Sequence, residues 1–152
     1  MWIIKFLGVA LLSLAGFLAG VLSVKKLKSR VAALEWFAGA VNDIGVRMNT
    51  TAAPISDIIL TLYGKDEYLT LEKPFSVTAK TENLTPREAG AVKEFFGGVG
   101  LGELTSQVKR CEAYAAVFKE YSGRAYAEYY EKARLYKTLG FFAGLGLAII
   151  LI

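Results

Sequence analysis

The chain has 152 residues, 54% of them hydrophobic, a mean hydropathy of +0.38 and a formal net charge of +4. It is long enough for about one domain and more apolar than the ~45–50% usual in soluble proteins. With no histidine and a single cysteine, Cys111, it excludes His-based catalysis, His metal sites, intramolecular disulfides and cysteine zinc clusters, and it lacks the dense basic patch of a nucleic-acid binder.

All charged side chains except Lys5 fall between Lys25 and Lys137, so two charge-poor ends flank a charged middle. Phe6 to Val24 is an uncharged run of 19 residues. As a helix it spans about 28 Å, close to the ~30 Å hydrocarbon core of a bilayer. A cleaved signal peptide is the alternative, with Leu18-Ala19-Gly20 as the small-residue site. The run exceeds the usual apolar region of a signal peptide, and Lys25, Lys26, Lys28 and Arg30 follow at once. We therefore expect an uncleaved transmembrane helix over residues 1–24.

From Val24 the small and apolar residues repeat at Leu27, Val31, Leu34, Ala38, Val41, Gly45 and Met48. The alternating spacing of three and four predicts a helix with one apolar stripe, continuing the membrane helix. The segment 49–54, ending at Pro54, stops it. Pro54 to Gly64 reads as a short helix, with proline at its start and glycine at its end. Residues 65–83 give no convincing strand pattern; Pro74 interrupts them, and they read as one short helix or a loop.

Thr85-Pro-Arg-Glu88 is a sharper signal. Thr is a good N-cap, Pro suits the first helical position, and Glu three residues on completes a capping box. That helix is expected to run to about Phe96. Gly97-Gly-Val-Gly-Leu-Gly102 follows without a preceding strand or a following Gly-Lys-Ser/Thr, so it reads as a turn and not a phosphate loop.

A second long helix begins near Glu103, with a stripe at Leu104, Val108, Cys111, Ala115, Phe118, Ser122, Ala125 and Tyr129, widened by Tyr114, Val117 and Tyr121. Cys111 is expected to be a small buried side chain. Tyr126, Tyr129, Tyr130 and Tyr136 are expected at the bilayer interface, and Glu128, Glu131 and Lys132 on a solvated face. Thr138 to Ile152 adds 15 uncharged residues, about 22 Å of helix, read as a second, short membrane segment.

Basic residues follow the first run and precede the second, at Lys132, Arg134 and Lys137. The positive-inside rule places residues 25–138 in the cytosol and both termini outside. Each run carries two glycines four apart, Gly16 and Gly20 in one, Gly140 and Gly144 in the other. This spacing lets helix backbones approach closely in lipid. The fold expected is all-α. It is an antiparallel helical bundle at residues 25–138 whose long helices continue into transmembrane segments at 1–24 and 139–152. The stripes serve packing within the bundle, with self-association into a homo-oligomer as the alternative.

The run Gly100-Leu-Gly-Glu-Leu-Thr-Ser-Gln107, the long helix after it, and Tyr130-Glu-Lys-Ala-Arg-Leu-Tyr-Lys-Thr-Leu-Gly-Phe-Phe-Ala-Gly144 with its aliphatic end resemble the stage III sporulation protein AB family of endospore-forming bacteria. The long helix is rich in Tyr and Ala where that family favours Glu, Lys and Gln. The resemblance implies a membrane protein of the mother cell, in a channel-like assembly around the engulfed forespore. It further implies a cytosolic domain similar to those of the F component of type II secretion, partnered by other membrane proteins of the complex and by a secretion-type ATPase. The connections at residues 51–62 and 97–104 would then form the end farthest from the bilayer, with Asp57 and Glu103 as docking residues. No catalytic, cofactor or metal-binding residue is expected. The rival reading is a small pore-forming or transporter-like oligomer; the lack of charge in the spans beyond Lys5 speaks against it.

Overall fold

The computed structural model describes the backbone at residues 2–51, 54–63, 68–72 and 76–151, and side chains at 20–51, 54–60, 68–70, 77–136, 138 and 139. Among these residues the elements are α1 (Trp2–Thr50), α2 (Ile55–Tyr63), β1 (Leu69–Glu72), β2 (Ser76–Ala79), α3 (Pro86–Gly98) and α4 (Leu104–Leu151). The all-α expectation holds, with one exception. Strands β1 and β2 pair antiparallel in the register Leu69↔Ala79 and Leu71↔Val77, as a hairpin, which corrects the reading of this stretch as helix or loop. Leu69 and Ala79 are buried while Thr70 and Thr78 are exposed, the period of two expected for a strand covering a core. Four residues per strand are too few for that period to stand out in the sequence.

Helices α1 and α4, 49 and 48 residues long, lie side by side and antiparallel. Two contacts mark their register. A Cβ added at Gly45 would stand 2.8 Å from Cys111 Cβ, and one added at Gly20 would stand 2.8 Å from the ring of Tyr136. The interval from Gly20 to Gly45 equals that from Cys111 to Tyr136, so the helices keep step throughout. At Gly45 the backbone of α1 approaches α4 as closely as only glycine permits.

The stripe read from α1 is buried at Val31, Leu34, Val41, Gly45 and Met48. A second row, Ala33, Phe37, Ala40 and Ile44, is buried beside it. The wider face is needed because α1 packs on α4 and also carries α2, the hairpin and α3. Phe37, fully buried, is the meeting point. Its ring centroid lies 6.2 Å from Phe118 of α4, 6.0 Å from Phe96 of α3 and 6.0 Å from Tyr68 beside β1. Ile58 and Ile59 of α2 and Val92 and Phe95 of α3 complete this core, and Val31, Leu34 and Ala125 form a smaller cluster at the other end.

On α4 the stripe is buried at Cys111, Phe118, Ser122 and Ala125, but Leu104 is exposed. Opposite Leu104 there is no α1 to cover it, because α1 ends at Thr50 and Cys111 already faces Gly45. The tyrosines of α4 differ in their packing. Tyr129 packs on Val31, Leu34 and Ala125, and Tyr136 lies against Gly20; Tyr126 and Tyr130 are exposed. The face of the helix pair opposite α2, the hairpin and α3 is an open groove of about 920 Å³ lined mainly by small side chains, Ala38, Gly39, Ala116 and Gly123 among them.

Among the described residues, no helix is long and apolar enough to cross a membrane. The runs read as spans fall largely on side chains outside the described residues, as do Gly16, Gly140 and Gly144.

The glycines of α1 respond differently to a side chain. Gly45→Val drives a branched side chain into Cys111 and is expected to destabilise the bundle by about 2 kcal/mol. Gly39→Ala meets nothing within 4 Å and is expected to stabilise by ~0.5–1 kcal/mol through helix propensity. Urea unfolding followed by circular dichroism measures both; equal effects at the two positions would refute the close approach at Gly45.

Candidate functional site

The sequence-derived docking residues lie at one end of the bundle. Asp57 is exposed on α2, and Glu103 is exposed immediately before α4. The α3–α4 turn meets the start of α2, since a Cβ added at Gly100 would stand 2.9 Å from Ile55 Cγ2. The α3–α4 turn and the start of α2 are therefore brought together at the far end of α1 and α4. The turn takes the form read from its glycines. Val99 caps α3 and is buried, and Gly100 (φ +87°) and Gly102 (φ +113°) adopt backbone conformations open to glycine and few others. Between them Leu101 is 72% exposed. Gln107, buried one turn into α4, donates its Nε2–H to the Leu101 carbonyl.

A second cluster joins three helices and was not apparent from spacing. Arg30 of α1 donates from Nη2 to Glu88 Oε1 at 2.6 Å, from Nε to Glu88 Oε2 at 3.0 Å, and from Nη1 to Glu128 Oε2 of α4 at 2.7 Å. Glu88 also completes the capping box anticipated at Thr85. Its Oε2 accepts from the Thr85 N–H at 2.9 Å, and its own N–H donates to Thr85 Oγ1 at 3.4 Å. One carboxylate thus caps α3 and clamps it to α1. Lys132 Nζ donates to Glu128 Oε1 at 2.7 Å, so Glu128 is tied between α1 and its own helix and is not merely solvated. Asn83 Nδ2 donates to Ser29 Oγ at 3.0 Å, anchoring the approach to α3 beside the clasp.

The electrostatics follow from this geometry. The hydrogen bond to Glu88 raises the Arg30 pKa, against the opposing effect of burial. Burial pushes Glu88 upward, but hydrogen bonds from Arg30 and from the Thr85 backbone and hydroxyl outweigh it and leave the carboxyl below its ordinary value. Glu128 is lowered by its hydrogen bonds from Lys132 and Arg30. Burial pushes the Cys111 thiol up to about 11, so at neutral pH it is a packed thiol and not a nucleophile. Among the described residues no group of three or more His, Cys, Asp or Glu side chains could hold a metal ion.

The clasp makes two expectations. Arg30→Ala leaves the nearly buried Glu88 carboxylate without its cation and should cost roughly 3–5 kcal/mol, whereas Glu88→Gln, which retains capping ability, should cost less. Because the folded pKa of Glu88 is depressed, its contribution is fully present above the unfolded carboxylate value of about 4.3 and is lost as pH falls through the folded value. Thermal melts from pH 7 to pH 3 should therefore show a steeper acid loss in the wild type than in Glu88→Gln; parallel curves would deny Glu88 this role.

No curated protein and no solved structure matches the chain. Residues 64–152, which take in β1, β2, α3 with its capping box, the two-glycine turn and all of α4, match the model of the family described as stage III sporulation protein AB. With more than half of its length matched, the chain belongs to this sporulation family.

Proposed function

We propose that the protein is a non-enzymatic membrane scaffold of a sporulation channel or secretion-like complex between mother cell and forespore. Its helical bundle stands in the mother-cell cytosol and docks a secretion-type ATPase at the end farthest from the bilayer. Other membrane proteins of the complex are met through the spans.

The observation that carries this reading is the antiparallel register of α1 and α4. It brings both apolar runs out of the same end of the bundle, with Gly20 and Tyr136 beside each other there. The start of α2 and the α3–α4 turn lie at the other end, while α3 reaches back along α1 to Arg30. From Lys25 to Thr50, α1 reaches about 40 Å, and from Lys137 back to Leu104, α4 reaches about 50 Å. A bundle with its covering elements on one side and its connections at the tip offers a partner a firm end-on surface. The absence of histidine and the inert thiol favour binding over chemistry.

Topology and docking are tested separately. A cysteine introduced at exposed Thr78, on a Cys111→Ser background, should react with a membrane-impermeant maleimide only after cells are opened; labelling of intact cells from outside would overturn the orientation. Asp57→Lys and Glu103→Lys should fold normally, since both side chains are exposed. They should slow association with the ATPase several-fold by spoiling charge complementarity. Unchanged binding kinetics in both variants would remove the distal end as the docking surface.

A further inference from the structure

Leu101 has a setting unlike that of the other exposed apolar residues. An isolated exposed leucine is ordinary on a protein surface. Here, however, the residue is held out by its surroundings. The glycines on either side both take positive φ, so the side chain stands between two backbone positions that other residues rarely adopt. The preceding Val99 turns inward and is 8% exposed, while Leu101 is 72% exposed. Gln107, 4% exposed, binds the Leu101 carbonyl through Nε2 and leaves its own Oε1 buried without a hydrogen-bond partner. The Gln107 amide thus holds the Leu101 carbonyl from inside the fold.

The surroundings also define what could receive it. Leu104, three residues on, is 52% exposed, so the apolar tip is larger than one side chain. Its charged flanks are acidic. Glu103 lies two residues after Leu101, and Asp57 lies two residues after the Ile55 side chain on which Gly100 sits, both exposed. Arg110 is held on the end of α3, its guanidinium against Gly98 and its Nη2 donating to the Glu94 carbonyl at 2.7 Å, so it is committed to that helix. A rigidly presented apolar knob, with exposed Asp57 and Glu103 at the same end and Arg110 committed to α3, fits an apolar pocket with a basic rim.

We infer that Leu101 is an anchor that enters an apolar pocket bordered by Lys or Arg side chains on the cytosolic protein docked at this end. The inference rests on the reading of the distal end as the docking end and adds the residue and the chemistry of its receptor. The pre-set turn means that little conformational freedom is lost when the side chain is captured. Truncated anchors of this kind commonly cost tenfold or more in affinity.

The test uses the full chain in sporulating cells, with a photo-crosslinking amino acid at position 101 and, as a control, at exposed Tyr126. The structure predicts a product at 101 whose partner peptide lines an apolar pocket flanked by basic residues. If that partner is a cytosolic protein other than the ATPase, the anchor stands and the ATPase reading falls. A product joining two copies of this chain, a partner peptide without such a pocket, or no product at 101 overturns the anchor. With the identified partner and the full chain in nanodiscs, Leu101→Asp should lower affinity about tenfold or more and Leu101→Met should restore most of it. The exposed Leu135→Asp should leave affinity unchanged. Equal binding by all three variants overturns the proposal, and unchanged melting temperatures separate this from loss of fold.

Discussion

The close antiparallel approach of α1 and α4 is the constraint from which the remaining structure follows. Gly45 against Cys111 brings the two backbones together, and Gly20 against Tyr136 keeps the same register further along. Once that register is set, Phe37 faces Phe118 and Arg30 comes within reach of Glu128. Any slip by one helical position would separate both pairs. The covering elements then have a fixed surface to pack on. Phe95 and Phe96 of α3, Ile58 and Ile59 of α2 and Leu69 of β1 all reach the row of α1 that includes Phe37 and Ile44.

Hydrophobic packing alone would permit α3 to slide along this surface, because Val92, Phe95 and Phe96 are tolerant of small shifts. The Arg30 clasp does not permit it. A planar guanidinium bound to two oxygens of Glu88 has a preferred geometry as well as a charge. Glu88 is in turn fixed at the third position of its helix by the capping box. Buried ion pairs add little net stability over apolar packing, but losing one partner is costly. The clasp therefore acts mainly on specificity. It sets which turn of α3 lies against which turn of α1, and through Glu128 it ties α4 to the same point.

Features within one local segment were legible in the sequence. Thr85 and Glu88 are three residues apart, and their capping box formed as the pattern required; the stripes of α1 and α4 and the glycine turn were readable for the same reason. Features made by distant partners were not. Arg30 lies 58 residues from Glu88 and 98 from Glu128, and in the sequence it is one of four cations after an apolar run. Phe37 and Ile44 belong to a second row beside the stripe that was read, and the presence of three covering elements explains the wider face. The hairpin occupies a middle case: Leu69, Leu71, Val77 and Ala79 alternate with polar residues, but Pro74 and the brevity of each run masked the period. Leu101 was visible only as part of a glycine-rich turn, since exposure depends on the φ angles of its neighbours and on a buried Gln107.

The directions of the pKa shifts also bear on how such a bundle could transmit an event at its tip. Glu88 and Glu128 are held below their ordinary values, Arg30 above its own, and Cys111 near 11. All four shifts move the group away from neutrality, and the chain has no histidine. The charges of the clasp are therefore constant across physiological pH, and the joint between α1, α3 and α4 is a strut and not a proton switch. A force applied at the α3–α4 turn passes into two long helices whose register is locked at Gly45, at the clasp and at Gly20. Rigid elements joined at several points move as a body. Binding at the α3–α4 turn would then reach the end at Gly20 and Tyr136 as displacement or tilt of the helix pair, with no change in protonation required along the way.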